Sequence, residues 1–296
     1  MKLLLWLGTL AACSGTQDRV DTEDTSEAMS PLFSFAVIAD PHISNTPDHE
    51  ARLEEAVNWI NQQDPPIALV LLVGDVGWGT AGLGRAREIL DALAPPYVPL
   101  IGDNEVHAGE EALFQETFAS QHEALSTTLE TWEKAPNPAW HPELEEEVYL
   151  QNLSFEHKGV RFIGLDLAVR GVSGSLGELG NLNDYPGGTW PWLEAALEDA
   201  NERRRGSIVL ASHIPLMLGA FDLEGLGRVE ATLMPHQDQL HADYAGHLHI
   251  DYSEQEHGFE LHVIDALWDD EKTLRVVEVS GNSESIAYTQ VPVILP

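Results

Sequence analysis

Phe33-Ser34-Phe35-Ala36-Val37-Ile38-Ala39-Asp40-Pro41-His42 is the stretch whose reading decides the fold. A nearly continuous apolar run stops abruptly on a carboxylate and an imidazole. Strands that are apolar on both faces belong to sheets covered on both sides, and such sheets deliver whatever follows their carboxyl ends into one crevice. The same pattern recurs four times further along. Leu71-Leu72-Val73-Gly74 precedes Asp75, Val98-Pro99-Leu100-Ile101-Gly102 precedes Asp103-Asn104, Ile208-Val209-Leu210 precedes Ser212-His213, and Tyr244-Ala245 precedes Gly246-His247-Leu248-His249. Residues far apart in the chain are thereby expected at one site.

Between the first three runs the period changes from strand to helix. Thr46-Pro47 opens a helix that carries Leu53, Ala56, Val57 and Ile60 on one face, and Pro65-Pro66 ends it; Leu83, Ala86, Leu90 and Leu93 mark a second helix. The result is a βαβαβ unit with three parallel strands. From about 108 to 147, Phe114, Phe118, Leu125, Leu129 and Trp132 recur at roughly helical intervals among acidic and polar residues, which predicts a helical insertion covering or rimming the core. A hairpin around His157-Lys158-Gly159 follows, then a helix from Thr189 and Pro191, then apolar runs near 207–211, 259–264, 274–279 and 286–293.

Composition bounds the function classes. The 296 residues are 43% hydrophobic with 8 Trp, enough for a substantial core, and the balance of 49 acidic to 15 basic residues gives a net charge of -34. That charge opposes binding to nucleic acid or to an anionic membrane surface and favours a small phosphate-bearing ligand over a long polyanion. Oligomeric state leaves no signature in the sequence.

The N-terminus reads as an export signal: Met1-Lys2, an apolar stretch from Leu3 to Leu10, and the small residues Ala11-Ala12. Leu10-Ala11-Ala12-Cys13 resembles the bacterial lipobox, which implies a signal peptide over 1–12 and an acylated Cys13, the only cysteine of the chain. The alternative is an ordinary cleavable signal with an incidental cysteine. Residues 13–31 read as the acylated cysteine and a flexible polar linker, too poor in apolar side chains to offset ordering entropy, and 32–296 as the folded domain. The expected location is the bacterial cell envelope, periplasm-facing or on the outer-membrane surface, with membrane attachment through the Cys13 lipid alone.

The chemistry begins with spacing. Side chains at i and i+2 of an extended segment point the same way, so Asp40 with His42, and His247 with His249, can each present two donors to one centre. Carboxylates mixed with neutral imidazoles suit Mn, Fe or Zn better than Ca or Mg. Asp40, His42, Asp75, His213, His247 and His249 exceed what one tetrahedral ion uses, and two ions sharing a bridging carboxylate would use them all.

Taken in order, Asp40-x-His42, Gly74-Asp75, Gly102-Asp103-Asn104-Glu105, His213-Ile214-Pro215 and Gly246-His247-Leu248-His249 resemble the calcineurin-like metallophosphoesterase superfamily over nearly all of residues 32 to 280. The resemblance implies an α/β chain folded as a four-layer αββα sandwich of the metallo-dependent phosphatase type. It also implies two divalent transition-metal ions, one held by Asp40, His42, Asp75 and His249, the other by Asp75, His213, His247 and a residue of the third block. In that family a metal-bridging hydroxide attacks the phosphorus of a phosphomonoester or phosphodiester.

The third block departs from the family's Gly-Asn-His-Asp/Glu. Aligned without a gap, Asp103 is the ligand and Asn104 takes the place of the catalytic His; shifted by one, Asn104 is the ligand and Glu105 replaces the His. Asn104 cannot deliver a proton at neutral pH, Glu105 beside two cations should be a poor acid, and His107 is the nearest substitute. A catalytically impaired metal-binding protein of the same fold is therefore the second reading. A third starts from Gly77-Trp78-Gly79-Thr80-Ala81-Gly82, which matches the dinucleotide-binding GxGxxG and would make the chain an oxidoreductase, but it leaves the five strand-end ligands unexplained.

Overall fold

The structure is a computed structural model and describes residues 27–44, 46–171, 180–217, 219–221, 223–256, 258–269 and 272–296. The signal segment, Cys13 and the linker up to residue 26 lie outside the described residues.

The opening βαβαβ unit forms as the periodicity dictates. Strand β1 (Ser30–Ile38), helix α1 (Pro47–Asn61), strand β2 (Leu69–Val73), helix α2 (Gly79–Leu90) and strand β3 (Tyr97–Leu100) follow in turn, with the three strands parallel. Pro47 stands in the first turn of α1, where its missing N–H costs nothing, and Leu53, Ala56, Val57 and Ile60 are its buried face. A short helix α3 (Asp103–His107) and a long one, α4 (Glu111–Thr128), lead into β4 (Glu130–Lys134), β5 (Ala139–His141) and β6 (Glu146–Val148). The stretch 108–147 is thus helical only as far as Thr128. Beyond it the chain runs through short strands, and Trp132, which fits a helical spacing in sequence, lies in β4 at the edge of a sheet. Phe114 and Phe118 of α4 are fully buried, so this helix belongs to the core and not to its rim.

The chain continues through β7 (Leu153–His157), β8 (Val160–Leu165), α5 (Thr189–Ala196), β9 (Ile208–Ser212), α6 (Leu223–Leu233), β10 (Leu240–Ala245), β11 (Tyr252–Glu256), β12 (Phe259–Val263), β13 (Thr273–Gly281) and β14 (Ile286–Ile294). Lys158 and Gly159 join β7 to β8 with positive φ at both residues, the geometry that a tight antiparallel hairpin requires.

Two large sheets result. One has the order β14-β13-β1-β2-β3, the other β11-β12-β10-β9-β8-β7-β4, and β5 pairs with β6 alone. Strand alternation sorts the apolar residues into layers. Phe35, Val37, Leu69 and Leu71 from the first sheet and Phe162, Val209, Ala211 and Tyr244 from the second share one core between the sheets, with the Phe35 ring edge-on to Phe162 at 5.4 Å and to Tyr244 at 5.6 Å. Their neighbours Ala36, Ile38, Val70 and Leu72, and Ile163, Leu165, Ile208 and Leu210, cluster instead with α1 and α2 residues and with Trp190, Leu193, Val229 and Leu233 of α5 and α6. This is the four-layer αββα sandwich that the resemblance implies. Burying each large side chain contributes roughly 1.5–3 kcal/mol, so truncating Phe35 at the centre should cost about 3–5 kcal/mol. The carboxyl ends of β1, β2, β3, β9 and β10 open on the same side, which brings the five motifs together.

Candidate metal centre

The ligating side chains arise where the chain leaves the sheets. Asp40, His42, Asp75, His247 and His249 all have positive φ, between 48° and 71°, and they make up half of the ten described non-glycine residues in that region. Holding such residues there costs on the order of 1–3 kcal/mol each, and strain of this kind concentrates at functional sites. The i and i+2 pairs therefore converge through tight left-handed turns, and not along an extended segment as the spacing alone predicts. Glycines permit the approach: a Cβ on Gly102 would collide with the Asp75 carboxylate, and one on Gly246 with that of Asp40.

Two donor groups form. In the first, His42 Nε2 lies 3.3 Å from His249 Nε2 and 3.7 Å from Asp40 Oδ1, and His249 Nε2 is 3.4 Å from the same oxygen. In the second, Asp103 Oδ1 is 2.8 Å from His213 Nε2 and 3.1 Å from His247 Nδ1. Asp75 lies between them, its Oδ2 3.4 Å from His42 Nε2 and its Oδ1 3.3 Å from His213 Nε2. Donors around an ion with bonds of about 2.0–2.2 Å stand roughly 3–3.5 Å apart, so these separations fit two adjacent cations. The tautomer of His213 fits as well. Its Nδ1 donates to the Val73 carbonyl at 2.8 Å, which leaves Nε2, the atom facing Asp75 and Asp103, to carry a proton here or, in the neutral ring, to bind a cation.

Charge makes the same demand. Asp40, Asp75 and Asp103 are buried within a few ångströms of one another, and in the protein alone burial raises the Asp75 carboxyl well above its ordinary value, so three charges here need imidazolium, protons or metal cations to offset them. Burial pushes the Asp40 carboxyl up, but hydrogen bonds from His249 and His42 outweigh it and hold the group well below the usual carboxylate range. For Asp103, hydrogen bonds from His213 and His247 outweigh burial in the same way. The His213 imidazole, although burial opposes it, is held well above its ordinary value by the Asp75 and Asp103 carboxylates. Protons here occupy the place that metal cations would take.

A further cluster, His241, Glu260 and His262, also brings three donor atoms together. Its polar demands are met by protein. His262 contacts Glu260 at 2.9 Å, Ser253 at 2.8 Å and the Arg275 guanidinium at 3.1 Å, so a cation is already in place.

No family model matches the sequence, and no curated protein matches it. Solved structures do match. A proposed 5'-nucleotidase from Staphylococcus aureus, in complex with alpha-ketoglutarate, superposes with a TM-score of 0.55 at 14% identity, over 88% of this chain and 54% of that one, so this chain spans about half its length. GAP50, the anchor in the inner membrane complex of Plasmodium, gives 0.52 at 11% identity over 88% of this chain and 85% of its own. The purple acid phosphatase PPD1 from yellow lupin gives 0.49 at 12% identity, over 86% and 51%. The chain has the metallo-dependent phosphatase fold.

Within this phosphatase fold the third block occupies α3 and divides its residues among different tasks. Asp103 joins the second donor group. Asn104 Nδ2 lies 2.6 Å from Asp75 Oδ2 and 3.4 Å from His42 Nδ1, so it faces the bridging position. Glu105 turns away from both donor groups, its two oxygens accepting the backbone N–H of Gly77 at 2.9 Å and of Gly102 at 2.8 Å. Burial raises its carboxyl to about 7 in the protein alone. Its carboxylate is a structural clasp and not a free acid. His107 Nδ1 lies 3.5 Å from Asp103 Oδ2, its Nε2 is buried without a partner, and burial lowers its imidazole.

The glycine motif of the rival reading has a packing explanation in this phosphatase fold. A Cβ on Gly77 or Gly82 would collide with the Ile43 carbonyl, and the Gly79 N–H that would face a pyrophosphate donates to Glu110 at 2.8 Å. A carboxylate there disfavours a second anion. Two residues outside every motif complete the surroundings: the Trp268 ring lies 5.8 Å from that of His42 and 5.4 Å from that of His249, and His49 Nδ1 hydrogen-bonds the His42 carbonyl at 2.8 Å. The one signal in the sequence that could have found His49 is its place seven residues after His42, within the first turn of a helix that begins beside the site.

Proposed function

We propose that this chain hydrolyses small phosphate esters at a centre of two divalent transition-metal ions, Mn, Fe or Zn. Asp40, His42, Asp75 and His249 would hold one ion, and Asp75, Asp103, His213 and His247 the other. The observation that carries the reading is the Asp75 carboxylate, one oxygen facing His42 and the other His213. Bound divalent ions supply an activated water and neutralise phosphoryl charge. The protein's own residues do the rest: the Val73 carbonyl fixes the His213 tautomer, Asn104 steadies Asp75, and His107, whose Nδ1 faces Asp103, is the nearest imidazole that could give a proton to the departing oxygen; burial lowers its pKa, so it would have to take that proton up with the substrate. Metal content measured together with hydrolysis of a phosphomonoester and a phosphodiester tests this. Asp75→Ala should lose both metals and all turnover, and full metal retention in that variant would end the proposal.

A second reading, a metal-binding protein of the same fold without turnover, rests on the third block, where Asn104 stands in place of an ionisable imidazole. The likeness to a membrane-complex anchor keeps that reading in view. Two bound metals with no turnover of either ester would establish it.

The functional reading also includes export and tethering of the domain to the bacterial envelope by a lipid on Cys13, with no second membrane contact. No helix among the described residues is long and apolar enough to cross a membrane. Cys13→Ser should move the protein to the soluble fraction, and an unchanged membrane fraction would defeat the tether.

A further inference from the structure

Eight large hydrophobic residues are exposed among the described residues; one of them, Trp78, stands beside His42, and two more, Leu248 and Ile250, flank His249 in the chain. Trp78 is 40% exposed although its ring packs edge-on to His42 at 5.1 Å. Its backbone is fixed, its N–H donating to the Ile43 carbonyl at 3.0 Å and its own carbonyl accepting from Gly82 at 3.0 Å, so the indole is held beside the metal ligands. Leu248, between ligands His247 and His249, is 37% exposed, and Ile250 is 47% exposed. Beside His42 stand two indoles, since the Trp268 ring lies 5.8 Å from that of His42 and 5.4 Å from that of His249, whereas His107 is beside Asp103 of the other donor group. The aromatic rings thus gather at the His42/His249 donor group.

Leaving an indole and two large aliphatic side chains in water forgoes the free energy of burying them, which is recovered when an apolar group covers them. Of apolar groups, a planar ring gains most from a fixed indole, through offset or edge-on stacking. Resting on the phosphoester reading above, we propose that Trp78 is a specificity-determining residue that receives a planar aromatic group carried by the phosphate ester, so that aryl esters are the preferred substrate class. The high negative charge of the chain agrees with a substrate recognised by an uncharged ring and not by added phosphates.

The test uses inert phosphonates, so that leaving-group chemistry plays no part. Phenylphosphonate, methylphosphonate and octylphosphonate are titrated calorimetrically into the full-length, metal-loaded protein and into Trp78→Ala and Trp78→Phe. Phenylphosphonate should bind about tenfold tighter than methylphosphonate, an effect within the reach of one aromatic contact. The preference should vanish in Trp78→Ala and persist in Trp78→Phe. Equal affinities in the parent protein, or a preference that survives Trp78→Ala, would overturn the assignment and leave the phosphoester reading standing. Octylphosphonate binding tightest, whatever stands at position 78, would overturn it in favour of an aliphatic group on Leu248 and Ile250. Failure of all three to bind would overturn the phosphoester reading and this one with it.

Discussion

Asn104 grips Asp75 twice, with its side-chain amide 2.6 Å from Oδ2 and its backbone N–H 3.0 Å from Oδ1. Asp103, one residue earlier, points its carboxylate at His213 and His247 instead. The two registers that the sequence leaves open thus correspond to two different contacts, and on the proposed function Asp103 would be the ligand and Asn104 the group that orients Asp75. Asp103→Ala should remove one equivalent of metal. Asn104→Ala should keep both but bind them roughly 10–100-fold more weakly, as for loss of a partner that orients a ligand. Elemental analysis and competition with a chelator read both outcomes, and the reverse pattern would make Asn104 the ligand.

His107 is expected to matter only when the departing oxygen needs a proton. Its Nδ1 faces Asp103 at 3.5 Å, and its Nε2 is buried without a partner. His107→Ala should therefore slow hydrolysis of an alkyl phosphate by about 10²–10⁴-fold, the usual contribution of a positioned proton donor, and slow a nitrophenyl ester far less. Equal losses on both esters would show that the imidazole acts on structure and not on proton transfer. The Trp78→Ala variant provides a comparison, since its effect follows the shape of the ester group and not its basicity.

How much of this was legible in the sequence follows from the range of the interactions. The strand ends and α1 and α2 could be read because each depends on its own few residues: Leu69 to Val73 is apolar throughout as it is buried on both faces, and Asp75 comes directly after it. Strand β4 could not be read. It pairs with β7, so what makes Glu130–Lys134 extended lies some 20 residues away, while its own exposed glutamates carry no period strong enough to show it. Trp268 was invisible for a similar reason, reaching the centre from a segment with no motif. The clasp made by Glu105 was not legible because its partners are two backbone amides, which no side-chain pattern reveals.

That clasp makes its own prediction. Glu105 joins the start of α3 to the loop that precedes α2, and removing its side chain leaves two buried N–H groups unpaired at about 1–3 kcal/mol each. Glu105→Ala should lower the melting temperature by several degrees, while Glu105→Gln, whose carbonyl still accepts, should recover much of the loss and retain turnover. A Gln variant that is as stable as the parent yet inactive would return Glu105 to the chemistry.

Asp243 yields a pH dependence whose sign can be worked out. This fully buried residue of β10 accepts hydrogen bonds from Ser212 Oγ at 3.1 Å and from the Leu216 N–H at 3.2 Å, bracketing the turn that presents His213. Burial, the dominant influence, raises its carboxyl from 3.8 to about 7. Between those values the folded protein keeps a proton that the unfolded chain has released, so the stability tied to this group is fully present below pH 4 and is lost as the pH rises toward 7. The expected loss is of order 4 kcal/mol before relaxation reduces it. In Asp243→Asn, which carries no titrating proton, the unfolding free energy measured in urea should fall less between pH 5 and pH 8 than in the parent protein. Parallel profiles for the two proteins would mean that Asp243 is ionised throughout, with its charge met by Ser212 and the Leu216 amide.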